Sequence, residues 1–137
     1  MKFNLNKGKE MQERQTKQKQ AIYDALVYLD HPTATEVYGR VHEINPKVSR
    51  ATVFRVLNGF AASGKALELR LAGQETRYDY NVTPHAHARC KICGRLSDVE
   101  VLGMPSAGLR AIPCDGFEIE GYMVEFYGSC KECGKIC

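Results

Sequence analysis

The chain has 137 residues and a formal net charge of +3, and its 44% apolar and 26% charged residues are typical of a globular protein. It contains no run of roughly 18 apolar residues, so we expect no transmembrane helix. Its first residues lack the apolar segment of a signal peptide, so we expect a cytoplasmic protein with reduced thiols. Residues 1–80 carry 13 Lys and Arg against 9 Asp and Glu, whereas residues 81–137 carry 6 against 7. The modestly basic first part fits a surface that binds anions such as nucleic acid.

The first helix is predicted from Thr16 to Leu29, after a polar start over residues 1–13 that we expect to be frayed. Apolar residues recur every three or four positions in it, as one buried helix face requires. These residues are Ala21, Ile22, Ala25, Leu26 and Leu29. Pro32 predicts the end of the helix, because the residue before a proline avoids helical dihedral angles.

Two further helices have clear start and stop signals. Thr33 and Glu36 have the spacing of a capping box that opens the second helix, and Asn45-Pro46 ends it. Ser49 is a suitable N-cap for the third helix, and Gly64 stands where a C-cap glycine belongs. The predicted buried faces are Val37, Val41 and Ile44 in the second helix, and Val53, Val56, Leu57 and Phe60 in the third.

A β-hairpin follows the helices, with strands predicted over residues 67–71 and 76–80 and a turn at Ala72-Gly73-Gln74. Three short helices followed by a hairpin predict a winged helix-turn-helix. Thr83-Pro84 indicates a boundary, so we predict a DNA-binding domain over residues 1–81 and a second domain over residues 82–137.

The second domain is predicted to be small and to contain both strands and a helix, which makes the whole chain α+β. Its predicted strands are His85–Cys90, Arg95–Val101 and Phe117–Tyr127, the last being the longest. A short helix is predicted over Ser106–Ile112.

Four of the six cysteines form two Cys-x-x-Cys-Gly motifs, Cys90 with Cys93 and Cys130 with Cys133. Thiolates two residues apart can face one ion, and two such pairs complete a tetrahedral zinc site. A disulfide is disfavoured in a reducing cytoplasm, and no thioredoxin-like pattern supports redox-active dithiols. We therefore predict a structural Zn²⁺ held by the four thiolates, with Cys114 and Cys137 as spare thiols.

A second candidate metal site is indicated by His85-Ala86-His87, since residues two apart on a strand point to the same face. Asp79 and Asp98, which flank this pair in the sequence, and His31, far upstream, are further possible ligands. Nitrogen and carboxylate ligands suit iron(II), manganese(II) or zinc(II). The alternative is a set of solvated polar residues near a domain junction.

A zinc hydrolase, such as a nucleobase deaminase, is a remote alternative. That class needs His-x-Glu and a downstream Pro-Cys-x-x-Cys. Here Ala86 and His87 follow His85, and Phe117 stands where a cysteine would have to follow Pro113-Cys114. We therefore expect no enzymatic activity.

Several motifs together resemble the ferric uptake regulator (Fur) family over about residues 14 to 134. The run from Val48 to Leu57 resembles the family's recognition helix, although Phe54 stands where tyrosine is usual. The other landmarks occur in the family's order: His31-Pro32-Thr33-Ala34, Arg77-Tyr78-Asp79-Tyr80, His85-Ala86-His87-Ala88 and both cysteine motifs. The resemblance implies a winged helix followed by an α/β dimerisation domain, in a homodimeric repressor that binds double-stranded operator DNA.

Within that family the chain is most similar to the peroxide-responsive repressors (PerR). The resemblance implies a regulatory Fe²⁺ or Mn²⁺, for which Zn²⁺ can substitute in vitro, bound by His31, Asp79, His85, His87 and Asp98. It also implies that peroxide, the only small molecule expected to react, oxidises His31 or His85 when iron(II) is bound. The alternative is an iron-availability repressor of the same fold, whose members more often carry glutamate at the positions of Asp79 and Asp98.

The DNA-binding residues are expected on the third helix, which winged helices place in the major groove. The candidates that avoid its buried face are Arg50, Thr52, Phe54 and Arg55. Arg55 is the strongest candidate for a base or phosphate contact, and Phe54 for a thymine methyl group. Arg14 and Lys17 are expected to precede the first helix, where the resemblance implies an approach to the minor groove.

Overall fold

The computed structural model describes residues 5–105 and 108–134, and the chain forms two compact units, Met1–Val82 and Thr83–Cys137. It contains both helices and sheets, which confirms the α+β prediction. The helices are α1 (Leu5–Tyr28), α2 (Ala34–Ile44) and α3 (Arg50–Ala62). The strands are β1 (Leu67–Leu69), β2 (Arg77–Asp79), β3 (Ala86–Cys90), β4 (Leu96–Val99) and β5 (Glu125–Gly128). Within the described ranges, no helix has both the length and the apolar character that a membrane span requires.

The three helices of the first unit pack around one apolar core, as their periodicity predicts. Ile22 and Leu26 of α1, Val37 of α2 and Leu57 of α3 are each fully buried. The Thr33 hydroxyl accepts a hydrogen bond from the N–H of Glu36, and the Glu36 carboxylate accepts one from the N–H of Thr33. The capping box is therefore confirmed, as is Ser49 as the N-cap of α3.

Two predictions about these helices are wrong. Helix α1 begins at Leu5, so residues 5–13 are helical rather than frayed, while residues 1–4 lie outside the described part. Its first half is rich in Lys, Gln and Glu, which favour helix without needing a buried face. Ile44, expected on the inner face of α2, is 69% exposed because the helix ends there.

The hairpin of β1 and β2 forms the predicted wing, with Leu69 opposite Arg77 in an antiparallel pair. The wing is fastened to the segment between α1 and α2. Thr33 and Arg77 form an isolated bridge, and the N–H of Tyr78 donates to the carbonyl of Pro32. These contacts bring the side chains at the end of α1 next to those of β2.

The second unit is built on a three-stranded sheet in the order β4-β3-β5. Strand β3 pairs antiparallel with β4 and parallel with β5. This arrangement places the end of β3 beside the end of β5, with Cys90 opposite Gly128. It also places His87 on β3 directly opposite Asp98 on β4.

The segment before β5 differs from the prediction. Only Glu125–Gly128 is a strand, and the rest of the predicted strand, residues 117–124, is irregular. The neighbouring strand β3 starts at Ala86, so the backbone ahead of Val124 has no strand of this sheet beside it.

The short helix predicted over Ser106–Ile112 is also wrong for its described residues, 108–112, which are irregular; residues 106 and 107 lie outside the described part. Gly108 has a positive φ of 79°, which does not fit a right-handed helix. A Cβ atom at this position would collide with the hydroxyl of Tyr122, which accepts a hydrogen bond from the N–H of Leu109.

Candidate functional site

The four cysteines of the two Cys-x-x-Cys motifs converge at one end of the sheet. Their Sγ atoms all lie within 4.8 Å of one another. Cys90 ends β3, and Cys130 follows β5, so the parallel pairing of these strands brings the two motifs together. A backbone hydrogen bond closes the turn in each motif. The N–H of Gly94 donates to the carbonyl of Cys90, and the N–H of Gly134 donates to the carbonyl of Cys130.

The sulfur positions fit a zinc ion better than a disulfide. The Sγ atoms of Cys93 and Cys130 are 3.8 Å apart, whereas a disulfide requires about 2.05 Å. Four sulfurs at about 2.3 Å from one ion, in tetrahedral geometry, lie about 3.8 Å from each other. The cluster therefore fits a structural zinc site.

The backbone around the cluster prepares it for a cation. The N–H of Cys130 donates to Cys90 Sγ at 3.3 Å. This bond, together with one from the N–H of Cys93, lowers the pKa of Cys90 to about 6. The neighbouring sulfurs of Cys130 and Cys93 raise the pKa of Cys133, because closely packed sulfurs resist the loss of every proton. A divalent ion at the centre would remove that resistance.

Among the described cysteines, Cys114 lies outside this cluster. Cys114 is exposed in the irregular segment before Phe117, and Cys137 lies outside the described residues.

In the first unit, His31 and Asp79 form a buried pair. His31 Nε2 lies 3.4 Å from Asp79 Oδ2, and each side chain is 4% exposed. Asp79 comes from the end of β2, and His31 from the segment to which the wing is fastened. We call these two residues the first half-site.

In the second unit, His85, His87 and Asp98 meet at one point, and we call them the second half-site. The two Nε2 atoms are 2.9 Å apart. Asp98 Oδ1 lies 3.2 Å from Nε2 of His85 and 3.4 Å from Nε2 of His87. The His-x-His spacing and the pairing of β3 with β4 produce this convergence, and its nitrogen and carboxylate ligands suit a divalent ion such as iron, manganese or zinc.

The candidate DNA-binding residues of α3 lie away from its buried face. Arg50 and Arg55 are exposed, and Thr52 and Phe54 are half-buried. Arg50 Nη2 donates to Thr35 Oγ1 at 2.8 Å, and its guanidinium lies 5.7 Å from the ring centre of Phe54. Contacts from α2 therefore hold Arg50 in place.

Arg14 and Lys17 lie within α1 rather than before it, which corrects the expected position. They are three residues apart and share one side of the helix. Together with Lys47 they line a groove of about 400 Å³, which also contains Glu10 and Glu13.

Sequence reasoning missed two residues that contact His31. Asp30 Oδ1 lies 2.6 Å from His31 Nδ1, and Arg77 Nη1 donates to the carbonyl of His31 at 2.8 Å. An aspartate directly before a candidate ligand histidine was an available signal. Arg77 was not predictable as a contact, because it is 46 residues away in the sequence.

Comparison with known proteins gives a consistent result. The model of the ferric uptake regulator family matches residues 10–127. A peroxide operon regulator of Bacillus subtilis is 35% identical to the chain over 136 residues, which cover 98% of the chain and 94% of that protein. The fold is similar to that of the Campylobacter jejuni peroxide stress regulator, with a TM-score of 0.70, 24% identity, and coverage of 96% of this chain and 100% of that one. It is also similar to that of the Francisella tularensis ferric uptake regulator with iron, with a TM-score of 0.64, 22% identity, and coverage of 85% and 90%.

Proposed function

Because the chain belongs to the ferric uptake regulator family, we propose that it is a cytoplasmic, metal-dependent transcriptional repressor that responds to peroxide. The observation that carries this proposal is the convergence of His85, His87 and Asp98, separate from the all-cysteine cluster. The relative from Bacillus subtilis, whose name is peroxide operon regulator, supports the choice of signal. We propose a regulator rather than an enzyme.

The proposed DNA-binding part is the winged helix of residues 1–81. Helix α3 would enter the major groove of double-stranded operator DNA, as recognition helices of this class do. Exposed Arg55 is well placed for a base edge or phosphate, and half-buried Phe54 for a thymine methyl group. Arg14 and Lys17 on α1 would add contacts to the DNA backbone or the minor groove.

The proposed dimerisation part is residues 82–137, with a second copy of the chain as its partner. Exposed apolar residues line a groove of about 950 Å³ before β5. They include Leu109, Phe117, Ile119, Tyr122 and Met123. An exposed apolar surface of this kind favours a protein partner, and homologous repressors act as symmetric pairs on paired half-sites.

We propose that the two half-sites together hold one regulatory ion. The ligands would be His31 and Asp79 from the first unit and His85, His87 and Asp98 from the second. Iron(II) or manganese(II) would be the physiological ion, and zinc(II) can substitute in vitro. An ion shared by the units would favour one of their arrangements, and a shift from 1:99 to 99:1 needs about 5.5 kcal/mol of differential binding.

The residues of the second half-site suit a reaction with peroxide. Bound iron(II) would supply the redox chemistry by which peroxide oxidises a histidine. The Asp98 side chain is 50% exposed, so a small reactant can approach this side of the site. The chain itself supplies the targets, for which we propose His31 and His85, and oxidation of either would weaken metal binding and release DNA.

Mass spectrometry of the metal-loaded protein tests this proposal. Iron(II)-loaded protein exposed to micromolar peroxide should gain about one oxygen on a peptide containing His31 or His85 and should release its operator. Manganese(II)-loaded protein should stay on DNA without modification. Asp98→Glu, whose longer side chain can occupy more of the coordination sphere, should keep metal-dependent DNA binding but lose peroxide sensitivity.

The opposite result would favour the alternative. Iron-loaded protein that stays unmodified and bound to DNA under peroxide, but releases DNA when iron is removed, would be an iron-availability repressor of the same fold.

A further inference from the structure

His31 has an unusual backbone conformation for a residue with a side chain. Its φ is +47°, in the left-handed region, and it is the only such residue other than glycine in the described ranges. The following Pro32 restricts it further. Such a conformation costs free energy and persists only when neighbouring contacts enforce it. The contacts of His31 therefore identify the residues that hold it in this conformation.

Asp30 holds one side of the imidazole. Its Oδ1 lies 2.6 Å from Nδ1, while Nε2 faces Asp79 Oδ2 at 3.4 Å. Carboxylates therefore lie beside both ring nitrogens, with Asp30 the closer of the two. When Nε2 binds an ion, Nδ1 keeps its proton and can donate it to Asp30, and this bond fixes the orientation of the ring.

Arg77 holds the backbone of the same residue. Its Nη1 donates to the carbonyl of His31 at 2.8 Å and lies 3.8 Å from Glu36 Oε2. Glu36 is part of the capping box of α2, so Arg77 connects the strained residue to a helix start. The next residue, Tyr78, donates its N–H to the carbonyl of Pro32 at 2.9 Å. Strand β2 thus fixes the backbone on which the imidazole is mounted.

We propose that Asp30 and Arg77 are positioning residues for His31: Asp30 orients the ring through Nδ1 so that Nε2 faces the metal, and Arg77 fixes the backbone that carries the ring. The inference rests on the proposed function, because it concerns the same regulatory ion. Loss of a residue that orients a metal-binding histidine typically lowers the metal affinity about 10- to 100-fold. Neither residue would contact the ion.

Binding of manganese(II) to the full-length zinc-containing protein, followed by electron paramagnetic resonance, tests the proposal. Asp30→Ala and Arg77→Met should each lower the affinity about 10- to 100-fold, with zinc content unchanged. The matched controls are Asp24→Ala, an exposed aspartate of α1 that pairs with Gln20, and Arg70→Met, an exposed wing arginine that pairs with Glu68. Both controls should bind manganese like the wild type.

A second measurement separates positioning from general stability. In the metal-free protein, ¹⁵N NMR of the His31 ring should show a strongly hydrogen-bonded Nδ1 in the wild type and a weaker hydrogen bond at Nδ1 in Asp30→Ala. Asp30→Glu should restore part of the hydrogen bond at Nδ1 and of the affinity. Arg77→Lys, which keeps a donor and the charge, should recover part of the affinity if Arg77→Met folds poorly.

The outcomes distinguish a failure of the regulatory site from a failure of the positioning role. If the zinc-containing wild type binds no manganese, or if His31→Ala binds manganese as tightly as the wild type, the proposed regulatory site itself is wrong. If the wild type binds manganese and His31→Ala does not, but Asp30→Ala keeps the wild-type affinity, Asp30 has no positioning role. Wild-type manganese affinity in both Arg77→Met and Arg77→Lys would likewise show that Arg77 has no positioning role.

Discussion

Cys114 has the same side chain as the four clustered cysteines but different surroundings. Cys90 is buried at the end of a strand and accepts a backbone hydrogen bond that lowers its pKa to about 6. Cys114 lies exposed in an irregular segment, outside this cluster. Whether a thiol acts as a metal ligand is decided by the geometry and charge around it.

Cys93→Ser should remove about one zinc per chain and lower the melting temperature, because a serine hydroxyl is a poor ligand and the metal supplies folding free energy. Elemental analysis and thermal unfolding measure the two effects. Cys114→Ser is the matched control and should keep zinc and stability. Full zinc content and normal melting in Cys93→Ser would contradict the four-thiolate site.

Arg55→Ala should weaken operator binding by about 1–3 kcal/mol if the side chain reads a base, and should leave the metal content unchanged. Arg55 is exposed on α3, so its loss leaves no cavity in the core. Arg95→Ala, an exposed arginine of the second unit that does not line the groove proposed for dimerisation, should bind as the wild type does. A footprinting titration compares the three proteins, and equal affinities would place Arg55 outside the DNA interface.

The helix ends were predictable because their signals are local. The capping box of Thr33 and Glu36 satisfies backbone N–H groups that the first turn of α2 leaves without helical partners. The start of α1 was not predictable in this way, since its first half has no buried face and depends on intrinsic helix preference alone.

Thr33→Ala should destabilise the first unit by about 0.5–2 kcal/mol, as the loss of an N-cap does. Because Thr33 is also buried, at 7% exposed, the substitution removes packed side-chain atoms as well as the cap, and we expect a value in the upper part of that range. Thr16→Ala on α1, where the hydroxyl only bonds to the carbonyl of Gln12, should change stability by less than about 0.5 kcal/mol. Urea unfolding of the three proteins measures the difference, and equal midpoints would show that the cap contributes nothing.

At the scale of the whole molecule, the second unit leaves much apolar surface exposed. Its described residues form a three-stranded sheet, and the segment before β5 contributes exposed Phe117, Ile119 and Met123. A unit of this size buries little core by itself, so the proposed zinc ion and the proposed partner copy would supply the rest of its stability.

Ile119→Glu should weaken the proposed dimer about tenfold or more, since a buried unpaired carboxylate at an apolar interface costs at least about 1.4 kcal/mol. Leu102→Glu is the control, because Leu102 is 97% exposed and does not line the groove. Sedimentation equilibrium at several concentrations gives both dissociation constants. A dimer unaffected by Ile119→Glu would rule out this groove as the interface.

The sequence by itself determined the features that depend on short spacing. Helix caps, buried faces such as Val53 and Phe60, the two Cys-x-x-Cys motifs and the His-x-His pair all follow from neighbours within a few residues. The same spacing carried the family resemblance, and the family assignment is confirmed.

Only the tertiary structure decided which distant residues meet and how long a strand becomes. The strand predicted over Phe117–Tyr127 shortened to Glu125–Gly128, because a strand needs the backbone of a partner beside it. Arg77 reaches the carbonyl of His31 because the wing is fastened to the segment between α1 and α2. No local pattern encodes these contacts, since their partners are dozens of residues apart and the free energy that forms them comes from packing the whole unit.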